Sequence, residues 1–279
     1  MALEGLSPAA SVDELAHTTQ RAIVWDVRAR CVRATVDLGR PSDGIIAIAL
    51  SQDGTTLLAS RLRNDDSRVE IWDIARRARS GELPGAGGDW VALRPDDRLL
   101  ATSFGQLGDL SSRHVTHRRL AQDSTSALAF SPDGQYLAVG DQSGRVTLWD
   151  GRAAHRLAVL AGTFTDTRQD DGAAVSALAF SPDNRTLAVG GDDGTLQLWD
   201  VPTGQRLGST MTTANEPIFS VGFDADGRTL RTSGWYVPLH SYPADLPSVA
   251  ARTCLRAGRG LTHAEWEEYV PELPYRDTC

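Results

Sequence analysis

The chain has no lysine: of its 279 residues 28 are basic, and every one of those is arginine. That absence excludes Schiff-base chemistry, a phosphate-loop lysine and a lysine general base. It also points to a GC-rich genome that favours arginine codons. No run approaches the roughly 20 apolar residues of a membrane span. The opening "MALEGLSPAASVDELAHTT" has neither a basic leader nor a long apolar stretch, so a cytoplasmic protein without a membrane partner is expected. Cysteine is scarce. Cys31, Cys254 and Cys279 are far apart and odd in number, and they read as ordinary thiols rather than as a disulfide framework or a metal knuckle. A net charge of −8 lacks the clustered cations that phosphate backbones need, which excludes nucleic acid as the expected partner. No Gly-x-Ser-x-Gly elbow and no glycine-rich phosphate loop occurs. His17, His114, His117, His155, His240 and His263 show no metal-ligand spacing. No catalytic residue, metal or cofactor is therefore expected, and the chain reads as a non-enzyme.

What is present is a repeat. "SALAFSPDGQYLAVGDQSGRVTLWD" (126–150) and "SALAFSPDNRTLAVGGDDGTLQLWD" (176–200) match position for position at an offset of 50 residues. "AIALSQDGTTLLASRLRNDDSRVEIWD" (47–73) follows the same plan with a longer polar loop. "SVGFDADGRTLRTSGWYVPLHSYP" (220–243) keeps the spacing, with Tyr242-Pro243 in place of Trp-Asp. Imposing the spacing recovers two weaker copies. Ser7-Pro8 stands as far before Trp25-Asp26 as Ser131-Pro132 before Trp149-Asp150, so residues 2–40 form an eroded first unit; residues 90–120 form another whose Trp-Asp pair is lost. Turn anchors near Ser7, Ser51, Arg94, Ser131, Ser181 and Asp224 make six units.

Within a unit, "VSALAF" alternates at period two, Pro182-Asp183-Asn184 is turn chemistry, "TLAVGG" is a second strand, Asp192-Asp193-Gly194 marks a hairpin and "TLQLWD" is a third strand. "QRLGST" supplies a fourth. A sheet this small leaves both faces in water when alone, so successive units must pack face to face around an axis.

With "SPDG", "LWD" and the "DDG" hairpin in place, the chain resembles the WD40-repeat family from about residue 2 to 246. The resemblance implies an all-β, WD40-type β-propeller with six recognisable blades, near 2–40, 45–82, 88–123, 125–162, 175–212 and 218–246. It implies a scaffold for a protein or peptide partner, of signalling or sensing type. The Gly-His pair of the family is missing, and only Asp193 keeps the hairpin aspartate beside its Trp199, so the buried hydrogen-bond network of family blades is expected to be mostly absent. The sixth unit lacks a fourth strand, and an incomplete or imperfectly closed ring is expected.

Residues 247–279 read as a helical tail packing on the propeller. Thr262 followed by Glu265 forms a capping box, Pro271 stops the helix, and a second short helix is expected from about Pro247 to Arg256, with Leu255, Trp266 and Tyr269 docking on the propeller. This tail resembles the end of bacterial WD40 proteins associated with STAND-type signalling NTPases. That implies a sensor part of such a system, here without the ATPase that precedes the propeller in those proteins.

Trp25, Trp72, Trp149 and Trp199 share one repeat position and are expected in the core. The hairpins between second and third strands gather at one rim, and the repeat alignment places His17, Arg61, Arg63, Phe104, Asp141, Gln142, Asp192, Trp235 and Tyr236 there as the partner-binding candidates. Two other readings compete. A propeller hydrolase would need carboxylates or a metal at the central channel, and the channel-facing "SALAF" and "FSVGF" carry no acidic residue. A decayed remnant of a longer WD40 protein would account for the eroded first, third and sixth units.

Overall fold

Over the described residues of the repeat region, strands alternate with turns, and the computed structural model resolves them into six separate antiparallel sheets. The structure describes residues 2–4, 19–26, 29–39, 44–63, 66–160, 173–213, 216–234, 236, 239–244, 254–269, 272, 274–277 and 279. Blade 1 contains β1 (Ala2–Glu4), β2 (Arg21–Asp26) and β3 (Cys31–Asp37). Blade 2 contains β4 (Ile45–Leu50), β5 (Thr56–Arg63), β6 (Asp66–Asp73) and β7 (Ala78–Pro84). The short blade 3 has β8 (Val91–Leu93), β9 (Leu99–Thr102), β10 (Gln106–Asp109) and β11 (Val115–His117). Blade 4 has β12 (Thr125–Phe130), β13 (Tyr136–Asp141), β14 (Val146–Asp150) and β15 (Arg156–Leu160). Blade 5 has β16 (Val175–Phe180), β17 (Thr186–Gly191), β18 (Thr195–Asp200) and β19 (Gln205–Thr212). Blade 6 has β20 (Ser220–Phe223), β21 (Thr229–Ser233) and β22 (His240–Pro243). In each sheet, sequence neighbours are hydrogen-bonded neighbours, so every blade is a meander.

One turn is made five times. The amide of its first residue donates to the carbonyl of the sixth at Ser51, Arg94, Ser131, Ser181 and Asp224, and the amide of its fourth residue donates back to the first. The fourth residue has positive φ: Gly54 at 69°, Asp97 at 57°, Gly134 at 70°, Asn184 at 62° and Gly227 at 71°. Only Gly, Asn and Asp tolerate that conformation readily, and this is why the "SPDG" register is visible in the sequence. The third residue is always Asp, and its carboxylate accepts the amide of the fifth at Thr55, Arg98, Gln135, Arg185 and Arg228. A second carboxylate caps the turn into the outer strand. Asp26, Asp73, Asp150 and Asp200 of the Trp-Asp pairs accept amides of Ala29, Arg76, Ala154 and Thr203.

The core lies between sheets, not within them. Five buried clusters occupy the five junctions of the series: Val24 and Val36 with Leu57, Val69 and Leu83 with Leu100, Leu107 and Leu120 with Leu137, Leu148 and Leu160 with Trp199, Leu196 with Leu230. First strands approach one another in the order β4, β8, β12, β16, β20, as radial packing requires. Polar staples cross the same junctions. The Ser60 hydroxyl donates to the Gly88 carbonyl at 2.9 Å, Ser126 to Val175 at 2.6 Å and Ser176 to Ile218 at 2.6 Å. Over the described residues the molecule is thus an all-β propeller of six blades with a short helical tail.

Trp72, Trp149 and Trp199 at the repeat position each pack against the preceding blade, and each indole N–H finds an acceptor of its own. Trp72 donates to Glu70 Oε2 at 3.1 Å, Trp149 to the Leu120 carbonyl at 3.0 Å and Trp199 to Gln197 Oε1 at 3.1 Å. Asp193 does not reach Trp199; it accepts the Thr195 amide and hydroxyl and caps its own hairpin. Trp149 and Trp199 are buried and Trp72 is half-buried. Trp25 departs from the expected core position, with 48% of its surface exposed. The reason is its place in the series: Ala22, Val24, Ala34 and Val36 turn one face of blade 1 to blade 2, and Trp25 lies on the other face. At the far end, the corresponding face of blade 6 presents exposed Arg231 and Ser241. Among the described residues no ladder joins these two sheets, and each has three strands.

The eroded units also differ in detail from the sequence reading. The repeat spacing puts Leu15 opposite Ile23, as Val139 stands opposite Thr147, but Ala2 takes that place. Ser7 and Leu15 lie outside the described residues. The third unit has lost only its Trp: Gly108 stands opposite Leu100 as Trp149 stands opposite Leu137, and Asp109 still caps the amides of Ser111 and Ser112. A side chain at Gly108 would begin 2.9 Å from Leu83 Cδ1, because that leucine of β7 already fills the site.

The tail folds largely on itself. Residues 254–257 are helical and end at Gly258, whose amide donates to the Cys254 carbonyl at 2.9 Å; the expected start of this helix lies outside the described residues. In helix α2 (His263–Tyr269), with 254–257 as α1, the capping box forms as read: Glu265 N to Thr262 Oγ1 at 3.3 Å and Thr262 N to Glu265 Oε2 at 2.9 Å. Arg259 adds a two-pronged ion pair to Glu265, and these contacts draw its carboxyl down to about 2. Trp266 is buried, with Tyr275 edge-on at 5.8 Å and Tyr275 stacked on His263 at 3.6 Å. Leu255 and Tyr269 are instead 83% and 67% exposed and do not dock. The cysteine reading is corrected as well. Cys254 and Cys279 form a disulfide with Cα atoms 5.4 Å apart, because the Tyr275 packing turns the chain back toward α1; Cys31 is free and exposed.

Candidate interaction surface at the hairpin end

First strands begin, and second-to-third-strand hairpins turn, at one end of the propeller. The end is built by short loops whose polar groups are consumed internally. Asp141, for example, accepts the Ser143 hydroxyl and the Arg145 amide, both at 2.9 Å, and holds the blade 4 hairpin. In blade 6, the buried Glu216 accepts the Tyr236 amide and ties that hairpin to the strand entry beside it.

The sequence candidates separate into three groups here. Phe104 is 49% exposed at the apex of the blade 3 hairpin, Tyr236 is 83% exposed, and Gln142 and Asp192 stand open on blades 4 and 5. Partial burial, reinforced by the neighbouring Asp193 carboxylate, pushes Asp192 above the ordinary carboxylate range. Arg61 and Asp141 are corrections: both are buried. Arg61 pairs with Glu70 at 2.8 Å and donates to the Leu38 carbonyl, so it ties blade 2 to blade 1 and is not offered to a partner. Asp141 turns inward to accept the Ser143 hydroxyl and the Arg145 amide of its own hairpin. His17 and Trp235 lie outside the described residues, as does the side chain of Arg63, whose backbone pairs with Asp66.

The structure adds residues that the hairpin alignment did not reach. Ile46, Leu62, Trp90, Phe219 and Leu239 are 37%, 40%, 44%, 45% and 55% exposed, and all lie at this same end. With Phe104 and Tyr236 they make seven of the fifteen exposed large apolar side chains among the described residues. Exposed apolar groups normally scatter singly, and a concentration at one end marks a surface meant to be covered.

Blade 3 gives that end its relief. Between its turn anchor and its Trp position it is four residues shorter than blade 4, two per strand, so its hairpin sits lower by about 6 to 7 Å at the usual strand rise. Trp90, whose backbone pairs with Ser103, is uncovered for that reason. A cavity of about 380 Å³ opens over the lowered hairpin, lined by Ser103, Phe104 and Gly105 on one side and residues 118–125 on the other. The shorter spacing from Arg94 to Gly108, against Ser131 to Trp149, is the sequence feature that encodes this notch.

Among the described residues no group of three or more His, Cys, Asp or Glu side chains converges as a metal site, and no helix is long and apolar enough to cross a membrane. A β-propeller family model described as nucleolar protein 10-like, N-terminal domain, matches residues 106–235, which run from β10 to the blade 6 hairpin. The match covers slightly less than half of the chain and is a similarity of that segment. No curated protein matches the sequence.

Proposed function

We propose that the chain is a non-catalytic interaction scaffold that holds a protein or peptide partner on its hairpin end, centred on the notch over blade 3. One observation carries this: Ile46, Leu62, Trp90, Phe104, Phe219, Tyr236 and Leu239 are exposed together at that end. Aromatic anchors beside a recess are what partner hot spots use. The reading without chemistry of its own is supported by the first strands: β4, β8, β12, β16 and β20 carry no charged residue, so they bring no pair of carboxylates to the channel. Within this proposal the finer role is that of the sensor of a bacterial STAND-type signalling system, supported by the likeness of the tail. Cytoplasmic residence belongs to that role, and it requires the Cys254–Cys279 bond to form reversibly there, since reducing compartments keep thiols open.

The test is capture from source-cell extract with a photo-crosslinker. The Trp90→Ala/Phe104→Ala double variant is compared with wild type and with Leu157→Ala/Leu207→Ala, which removes outer-strand side chains of similar exposure (52% and 44%). A partner held by wild type and by the outer-strand variant, but bound at least about five-fold more weakly by the rim variant, is expected for hot-spot aromatics. Equal capture by all three refutes the surface. Identification of that partner as anything other than a STAND-type NTPase or its ligand refutes the finer role.

A further inference from the structure

A second cavity, of about 810 Å³, opens on the flank of the molecule where short blade 3 fails to cover blade 4. It is separated from the rim notch only by the ledge Arg119–Asp123, which lines both. Its far wall is the face of blade 4 bearing Arg145, Thr147 and Trp149, with Arg156 from the outer strand. In a chain of net charge −8 this wall is cationic: Arg119, Arg145 and Arg156 against the single carboxylate of Asp123. None of the three is ion-paired among the described residues. Arg119 donates to the carbonyls of Ala121 and Gln122 and so shapes the ledge, Arg145 reaches the Gln122 side chain, and Arg156 stands exposed.

We propose that this flank cleft binds an extended acidic peptide, one carrying several aspartate or glutamate side chains. The spacing argues for a chain over a small anion. Arg156 lies opposite Trp149, four residues along the strand from Arg145, or about 13 Å at the usual rise. An extended peptide repeats a side chain on one face every ~6.6 Å, so carboxylates two repeats apart match the spacing at which the two arginines are rooted, and a chain of them uses both more fully than one phosphate does. The apolar floor of Leu120, Ala121 and the Trp149 edge accepts the aliphatic parts between. The inference rests on the reading of the chain as a partner-binding module, but not on the rim.

The experiment is fluorescence anisotropy of a fluorescein-labelled hexaglutamate peptide with the full chain, with labelled hexaglutamine as control. Wild type binds hexaglutamate and not hexaglutamine. Raising the salt from about 0.05 to 0.3 M weakens binding, because the pairs are exposed. Arg145→Gln and Arg156→Gln each weaken binding roughly two- to five-fold and together about ten-fold, as expected for exposed ion pairs. Arg206→Gln, on the outer strand of blade 5, leaves binding unchanged. Phe104→Ala also leaves it unchanged, so failure of the rim and failure of the cleft are separate results. A hexaglutamate peptide carrying a photo-crosslinker marks residues 119–123 and 143–156 in wild type, which keeps the test valid should the double variant fold poorly. Unaltered affinity of a folded double variant, crosslinks elsewhere, or binding of pyrophosphate without binding of the peptide overturns the proposal.

Discussion

Trp25 and Trp199 occupy the same place in the repeat, yet replacing each with alanine should have very different consequences. Trp199 is 3% exposed and lies in the cluster formed with Leu148, Leu160 and Val146 of blade 4. Its removal takes away the indole area and leaves a cavity between two sheets that cannot collapse without separating their backbones, so a loss of about 3–5 kcal/mol is expected. The Gln197 amide oxygen, left buried without its indole donor, adds to that loss. Trp25 is 48% exposed, on the blade face that no preceding sheet covers. Its truncation returns only the area still shielded by its own strand neighbours, about 1 kcal/mol or less. Urea unfolding of the two variants and wild type, followed by far-ultraviolet circular dichroism, reads the difference. A Trp25→Ala variant as damaged as Trp199→Ala would refute serial packing with an open first face, because only another sheet lying on Trp25 could make the two equal.

Three further outcomes follow from the geometry. Asp53, Asp96 and Asp183 are held below the ordinary carboxylate range, foremost by the side-chain donors of Ser51, Arg94 and Ser181, and next among the lowering contacts by the amides at Thr55, Arg98 and Arg185. A folded pKa below the unfolded one means that their stabilisation is complete above about pH 4 and is lost as pH falls toward the folded values. Melting temperature should therefore drop as pH falls below about 4, with Asp183→Asn flattening the slope; burial raises Asp97 and Asp192 and offsets part of it. Cys279→Ser opens a loop of 25-residue separation, which by chain entropy is worth about 3 kcal/mol to the tail; hydrogen exchange should rise across α1 and α2 while the blades stay protected, and an unchanged tail would contradict the bridge. Gly108→Trp, which restores the missing repeat residue, should destabilise by about 1–3 kcal/mol, because Leu83 Cδ1 already stands 2.9 Å from the new Cβ; a stabilised variant would show that the site is vacant.

Much of the fold was legible because each unit repeats its local chemistry. The turn needs a left-handed fourth residue, and Gly54, Gly134, Asn184 and Gly227 announce it; Thr262 and Glu265 announce their cap in the same way. These are short-range requirements, satisfied within six residues, so the order of residues alone specifies them. The candidate surface was half legible. Phe104 and Tyr236 follow from hairpin position, but Arg61 and Asp141 occupy aligned positions and turn inward, since a salt bridge to Glu70 and two hairpin donors claim them. Trp90 is exposed through the shortness of its neighbours, not through any property of its own position.

By itself, then, the sequence determined the meander of each blade, the turn register, the six-fold series and the burial of apolar strands between neighbours, all consequences of period-two patterning and backbone sterics. Tertiary structure alone decided which of four equivalent tryptophans is left in water, which cysteines meet, and where a short blade opens a notch and a cationic flank. Those depend on what lies across a junction or at the end of a 25-residue return, and a side chain's partners through space are not encoded at its own position.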